Sequence, residues 1–192
     1  MALHPRFAGI LLVLASAPSS ADGIRIVNEG GIREEWMLAP GSTLAVPVYP
    51  PAYAGGREQA CAAIGYLINP DGSTSDFALL KSWSGAYVPS RMQQEYWMAF
   101  AQASAQALQQ WRFQPRPEVT RPQPVYTVAT MMFAATSAEL RDRCKVADLG
   151  ARLRELRQKD GSRRNKHSAL FDRLELSQSG LSREQLERRQ GY

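Results

Sequence analysis

Residues 61–133 read as an α+β fold: a three-stranded antiparallel sheet with one long amphipathic helix packed on it, followed by a helical C-terminal tail. Three observations carry that expectation. Residues 61–68 and 77–83 have strand character and are joined by the turn sequence Asn69-Pro70-Asp71-Gly72. Apolar side chains then recur at helical spacing from Met92 to Trp111. Finally, residues 125–133, Val-Tyr-Thr-Val-Ala-Thr-Met-Met-Phe, are β-branched and aromatic.

Each element has a physical reason. In the first strand Ala62, Ile64, Tyr66 and Ile68 alternate with Cys61, Ala63, Gly65 and Leu67, so one face is covered and the other partly so. Pro70 presets φ for the turn, and Gly72 takes the positive φ that other residues resist. Phe77, Leu79 and Trp83 are expected on one face of the second strand, with Ala78, Leu80 and Ser82 opposite. Ser84-Gly85 ends the hairpin. Ser90, with Gln93 three residues on, fits a capping box. Met92, Tyr96, Phe100, Ala103, Ala107 and Trp111 then draw one stripe along a helix of about twenty residues. Pro115 and Pro117 stop it. Trp111 and Phe113 straddle the helix end, where their rings can plug the helix onto the sheet while Arg112 points elsewhere.

The flanks read less sharply. Residues 24–27 and 32–38 lean towards strand and flank Asn28-Glu29-Gly30-Gly31, which predicts a small hairpin. Pro40-Gly41 interrupts the chain, and Pro47, Pro50 and Pro51 keep it extended. Downstream, Leu140, Cys144, Val146, Leu149, Leu153 and Leu156 predict an amphipathic helix interrupted by Gly150. A polar break at 159–166 precedes two further short helices, one starting at Leu170, Phe171 and Leu174 and one capped within 182–185. This tail is either a helical cover or a solvated extension.

The length of 192 residues favours one domain with an appendage, and 44% hydrophobic content excludes wholesale disorder. The net charge of +5 is concentrated. Residues 1–137 balance nine basic against nine acidic side chains, whereas 138–192 hold fourteen against nine. Acids scattered among those bases argue against dense phosphate tracking, so no nucleic-acid partner is expected. At the N-terminus, a short segment ending in Arg6, eleven largely apolar residues at 7–17, and Ser19-Ser20-Ala21 have the layout of a secretory signal cleaved after Ala21. A buried helix or a retained anchor are the alternatives, although eleven residues span only about 17 Å of helix against a hydrocarbon core of about 30 Å. The expected organisation is a signal at 1–21, an extended segment at 22–46, a domain at 47–134 and a basic helical tail at 135–192.

Export makes Cys61 and Cys144 a candidate disulfide, two buried free thiols being the alternative. Closing that loop stabilises by at most roughly 4–5 kcal/mol, chiefly through the unfolded chain. Other chemistry is sparse. His4 falls in the signal, leaving His167 without a second histidine for a nucleophilic triad. There is no Cys-x-x-Cys, Gly-rich phosphate loop or zinc spacing. The EF-hand likeness around 171–186 is one residue short and offers one loop acid, Glu175. The chain is therefore expected to be non-catalytic, with no metal and no cofactor.

Tyr49-Pro50, Asn69-Pro70-Asp71-Gly72, Ser84-Gly85, Trp111-Arg112-Phe113-Gln114-Pro115, Pro124-Val125 and Phe133, in that order and separation, resemble the C-terminal domain of TonB-type energy transducers. The likeness covers residues 47–134. It implies a periplasmic binding module that grips a short segment of an outer-membrane receptor by adding it as a strand, assisting transport across the outer membrane. The candidate receiving edge is the third strand: Val125, Tyr126, Thr127, Val128, Ala129, Thr130, Met131, Met132 and Phe133. On a plainer reading Trp111, Arg112, Phe113 and Pro115 are packing devices, Asp71 and Gly72 are turn chemistry, and Tyr49 and Pro50 lock the incoming chain.

The departures also count. Energy transducers keep an uncleaved membrane helix and a long Pro-rich spacer, whereas residues 22–48 reach at most roughly 90–100 Å when fully stretched. Ala54 replaces the glutamine expected near the receptor contact, and Ala60 stands where a glycine usually precedes the strand. A second functional class follows: a structural envelope protein whose sheet edge is capped by its own tail and whose basic helices touch an anionic polymer.

Overall fold

The structure is a computed structural model that describes residues 24–160. In chain order the elements are β1 (Arg25–Ile26), β2 (Trp36–Leu38), β3 (Ala60–Ile68), β4 (Thr74–Ser84), α1 (Gln93–Leu108), β5 (Phe113–Pro115), β6 (Val125–Phe133), α2 (Ala138–Cys144) and α3 (Leu149–Asp160). The expected signal, His167, the EF-hand-like segment and the last two short helices lie outside the described residues.

The main sheet has four strands in the order β1-β6-β3-β4, one more than the sequence predicts. β3 is central, antiparallel to β4 on one side and to β6 on the other. All nine of its residues are buried, because both faces are covered. Ala60, Ala62, Ile64, Tyr66 and Ile68 join the cluster beneath α1. Ala63 and Leu67 join a second cluster with Val146, Leu149 and Leu153 from the tail. Residues 138–160 are thus a cover for the opposite face, a three-layer arrangement in place of a sheet with a helix on one side.

The expected N-terminal hairpin does not form. β1 instead runs parallel to β6, and β2 pairs with β5 in a separate two-stranded ribbon. Local turn chemistry at Asn28-Glu29-Gly30-Gly31 is used to send the chain from one sheet to the other, with Gly30 at φ 82°.

β4 also departs from simple alternation. Ala63 pairs with Lys81 and Ile64 with Leu79, so Leu80 is an extra residue in the ladder. One inserted residue moves every later side chain to the other face. Phe77 and Leu79 therefore pack with the α1 cluster, whereas Trp83 packs beside Cys61 on the opposite side. A second irregularity lies opposite Tyr66, where Asp76 takes φ 54°.

α1 has 16 residues, fewer than its stripe suggests. A single 3-10 turn, Ser90–Met92, occupies the expected capping position and Met92 stays exposed. Instead of a capping box, Gln93 Nε2 donates to Val88 O at 3.4 Å. Phe100 is fully buried among Tyr49, Tyr53, Tyr96, Trp97 and Phe133, with centroid separations of 4.6–6.1 Å. Aromatic pairs in such edge-on and tilted arrangements contribute about 0.5–1.5 kcal/mol each beyond their buried area.

The tail forms two helices, parted at residues 145–148, with Gly150 inside the first turn of α3. Ser137 caps α2, its Oγ accepting from Leu140 N at 3.1 Å. Cys144 at the end of α2 is bonded to Cys61 in β3. Trp83, Met132 and Leu140 surround the bridge, and Arg143 lies 5.2 Å from the Trp83 ring centroid.

Two predictions follow from this packing. Phe100→Ala should destabilise the domain by about 3–5 kcal/mol in chemical denaturation, from lost transfer energy and the cavity left behind. Gly65 has no Cβ because one there would stand 2.3 Å from Tyr126 Oη, a buried hydroxyl with no hydrogen-bond partner. Gly65→Ala should therefore be strongly destabilising. Tyr126→Phe should be close to neutral and should recover part of the loss in the double variant, a coupling that a mutant cycle reads directly.

Candidate partner-binding border

Residue parity fixes which way the backbone of β6 faces. Val27 N donates to Tyr126 O at 3.0 Å and Arg25 N to Pro124 O at 3.3 Å, so even-numbered residues present their backbone groups away from β3. All nine residues of β6 pair with β3 on the inner side, but among the described residues only Val125 and Tyr126 have strand partners on the outer side. Past Tyr126 the ladder is replaced by side chains. Glu29 Oε1 accepts from Thr130 N at 2.8 Å, and its Oε2 from Thr130 Oγ1 at 2.9 Å. Thr127 Oγ1 donates to Asn28 O at 3.4 Å.

The expected open edge is therefore partly covered. Apart from Met132, which is part-exposed, every residue from Val125 to Phe133 is buried. Among the described residues, what lies along it is residues 24–29, which run beside the border as a strap. The tail meets the strap as well: Leu149 N donates to Asn28 Oδ1 at 2.8 Å, and Ile24 and Ile26 pack against the cluster that holds Val146, Leu149 and Leu153. Sequence reasoning missed this strap because its Ile-Arg-Ile-Val run is short and its partner lies about a hundred residues away. The one available signal, strand character in 24–27, pointed equally well to a local hairpin.

The other border of the sheet, on β4, is guarded differently. It carries the two irregularities at Asp76 and Leu80 and charged side chains at Asp76 and Lys81, devices that discourage edge-to-edge pairing. Leu80 O accepts from both Nε and Nη2 of Arg152, at 2.7 and 2.5 Å. Lys81 Nζ donates to Lys145 O at 3.1 Å. The tail thus caps part of this border as well as covering a face.

The remaining sequence-predicted residues lie around the α1 face and its turns. Tyr49 Oη donates to Glu58 O at 3.0 Å and its ring meets Phe100 and Phe133 edge-on, while Pro50 is buried. Burial pushes the Tyr49 phenol above its ordinary pKa, with Tyr96 and Glu58 adding to the shift. Asp71 accepts from Ser73 Oγ at 2.6 Å and Ser73 N at 2.9 Å, bonds that hold its carboxyl below the usual carboxylate range. Gly72 has φ 80° and its carbonyl accepts from Phe113 N at 2.9 Å, so the turn is also stitched to β5.

Trp111 sits beyond the last turn of α1, its ring 5.9 Å from Tyr66 and its Nε1 donating to Ala45 O at 2.9 Å. Arg112 Nη1 donates to Gln109 O and Trp111 O, at 2.7 and 2.8 Å, closing the helix end. Phe113 is buried in β5, and Pro115 pairs with Trp36. These residues build the scaffold; none of them lies in the β6 ladder.

Among the described residues, no group of three or more His, Cys, Asp or Glu is placed to hold a metal ion, and no helix is long and apolar enough to cross a membrane.

No protein-family model matches the chain, and no curated protein matches it. Among solved structures, the chain is similar to the solution NMR structure of the Pseudomonas aeruginosa TonB CTD. That likeness has 22% sequence identity and a TM-score of 0.41, and covers 58% of this chain and 95% of the other. Values this low assign neither a family nor a function.

Removing the Arg152 cap tests how the β4 border is protected. Arg152→Ala should cost about 1–3 kcal/mol, the value of charge-assisted bonds to a carbonyl. It should also raise self-association with concentration in analytical ultracentrifugation.

Proposed function

We propose that the protein is an exported, non-catalytic protein-binding module that receives an extended segment of an envelope partner as an added strand along the outer border of β6. The observation that carries this reading is the imbalance of that strand, with nine paired residues on one side and two on the other. A border on which, among the described residues, no strand pairs with the outer side beyond Tyr126 can gain main-chain hydrogen bonds from a guest. The motif resemblance at residues 47–134 supports a segment of an outer-membrane receptor as that guest, in the service of transport. The Cys61–Cys144 bond supports an oxidising compartment, and with the signal-like N-terminus it favours the periplasm.

Titrating isotope-labelled protein with synthetic N-terminal segments of outer-membrane receptors tests the binding reading. The amide resonances of Val128, Thr130 and Met132 should move, with smaller changes on β4. Unmoved resonances at millimolar peptide would remove the reading. Export is tested separately by intact mass from a periplasmic extract, unreduced and reduced. The expected species begins at Asp22 and gains two hydrogens on reduction; a full-length cytoplasmic species would overturn it. Denaturation of the same sample should show stability falling by up to roughly 4–5 kcal/mol once the bridge is reduced.

A further inference from the structure

We infer that residues 24–29 are a cis-acting stand-in for the guest. The strap fills the outer border of β6, a partner enters by displacing it, and its sequence is a template for what the border accepts. This rests on the strand-addition reading above and adds to it the chemistry of the partner and the means of control.

The strap is built to hold and to yield. Its ladder is two residues long and parallel, the less stable pairing per residue. Its ion pair, Arg25 Nη2 to Glu35 Oε2 at 2.7 Å, is 40% and 35% exposed at the two side chains, where such pairs contribute little. Beyond Tyr126 the strap leaves the border, and the Glu29 carboxylate reaches back to take the Thr130 N–H that a backbone carbonyl would otherwise accept. Among the described residues, no strand pairs with the outer side of β6 at Val128 or Met132. A guest that follows the strap's path, pairing at Val125 and Tyr126 and bringing a carboxylate to Thr130, reproduces the bonds the strap makes. Gly30, at φ 82°, lets the chain turn off the border directly after Glu29.

The same contacts describe the guest. It runs parallel to β6. Ile24 and Ile26 pack against the cluster that contains Tyr126 and Val128, so the guest needs apolar residues two apart on that face. Val27 packs towards the α1 cluster, so the opposite face is apolar at the next position. A carboxylate three residues after the second isoleucine position meets both Thr130 donors. The partner is thus an extended segment patterned apolar-x-apolar-apolar-x-acidic. Because Asn28 Oδ1 also holds the first N–H of α3, displacement releases the start of that helix too.

The test uses a synthetic peptide of residues 23–29 added in trans to the full mature chain. Two variants loosen the strap: Val27→Pro, which removes the N–H to Tyr126, and Glu29→Gln, which leaves apolar packing intact. The peptide should bind Val27→Pro at least tenfold more tightly than wild type, and Glu29→Gln by an intermediate factor. In wild type, saturating peptide should expose the Val27 amide to hydrogen exchange while Thr130 stays protected. A peptide carrying glutamine in place of its glutamate should bind several-fold more weakly. If wild type and both variants bind the peptide equally and the Val27 amide remains protected, the stand-in role is wrong while strand addition stands. If the variants exchange their strap amides freely yet take no peptide, strand addition at β6 falls as well. Should Val27→Pro fail to fold, the Glu29→Gln comparison and the wild-type exchange measurement decide alone.

Discussion

The fold depends on β3 being buried on both faces. A nine-residue strand of Ala, Cys, Ile, Gly, Tyr and Leu has no polar side chain to turn to water, so it needs neighbours along both borders and layers above and below. β4 and β6 supply the borders, α1 one layer, and α2 with α3 the other. Small residues at Ala60, Ala62, Ala63 and Gly65 let those layers come close. The most intimate approach is at Gly65, where the Tyr126 phenol occupies the space a methyl group would take. That hydroxyl lacks a hydrogen-bond partner, and burial, with a lesser contribution from Asp76, pushes its pKa up.

Much of this was legible in the sequence where the governing interactions are local. The Asn69-Pro70-Asp71-Gly72 turn, the stripe from Met92 to Trp111 and the β-branched run at 125–133 each carry their own signal, and each is found as the expected element, with the helix confined to Gln93–Leu108. The cysteine pair also closes as one of the two readings foresaw. Non-local choices were not readable. Nothing in Trp-Arg-Phe-Gln-Pro announces that Phe113–Pro115 pairs with Trp36–Leu38, and nothing near Arg25 names Val125 as its neighbour. The bulge at Leu80 is equally silent, since an inserted residue leaves composition and alternation unchanged while exchanging the faces of everything after it.

The candidate site was legible as an element, and its surroundings were not. β6 does have an under-paired border, but residues 24–29 lie over it, contributed by a segment whose turn residues suggested a purely local role. The two borders of the sheet consequently solve the same problem by different means. On β4, irregular backbone, charge and Arg152 make pairing unattractive in any register. On β6, the ladder to β3 runs without a register shift, and residues 24–29 lie along its outer side.

The Cys61–Cys144 bond encloses β3, β4, α1, β5, β6 and α2 within one covalent ring, Ala60 at the start of β3 apart, and leaves β1, β2 and α3 outside it. A single peptide cut anywhere between those cysteines, for instance in the exposed turn around Tyr87, would leave the two pieces joined. The strands that form the heart of the sheet would then stay tethered after a nick, while the strap and α3 could be trimmed away without opening the ring. The linkage separates damage to the core from loss of its cover.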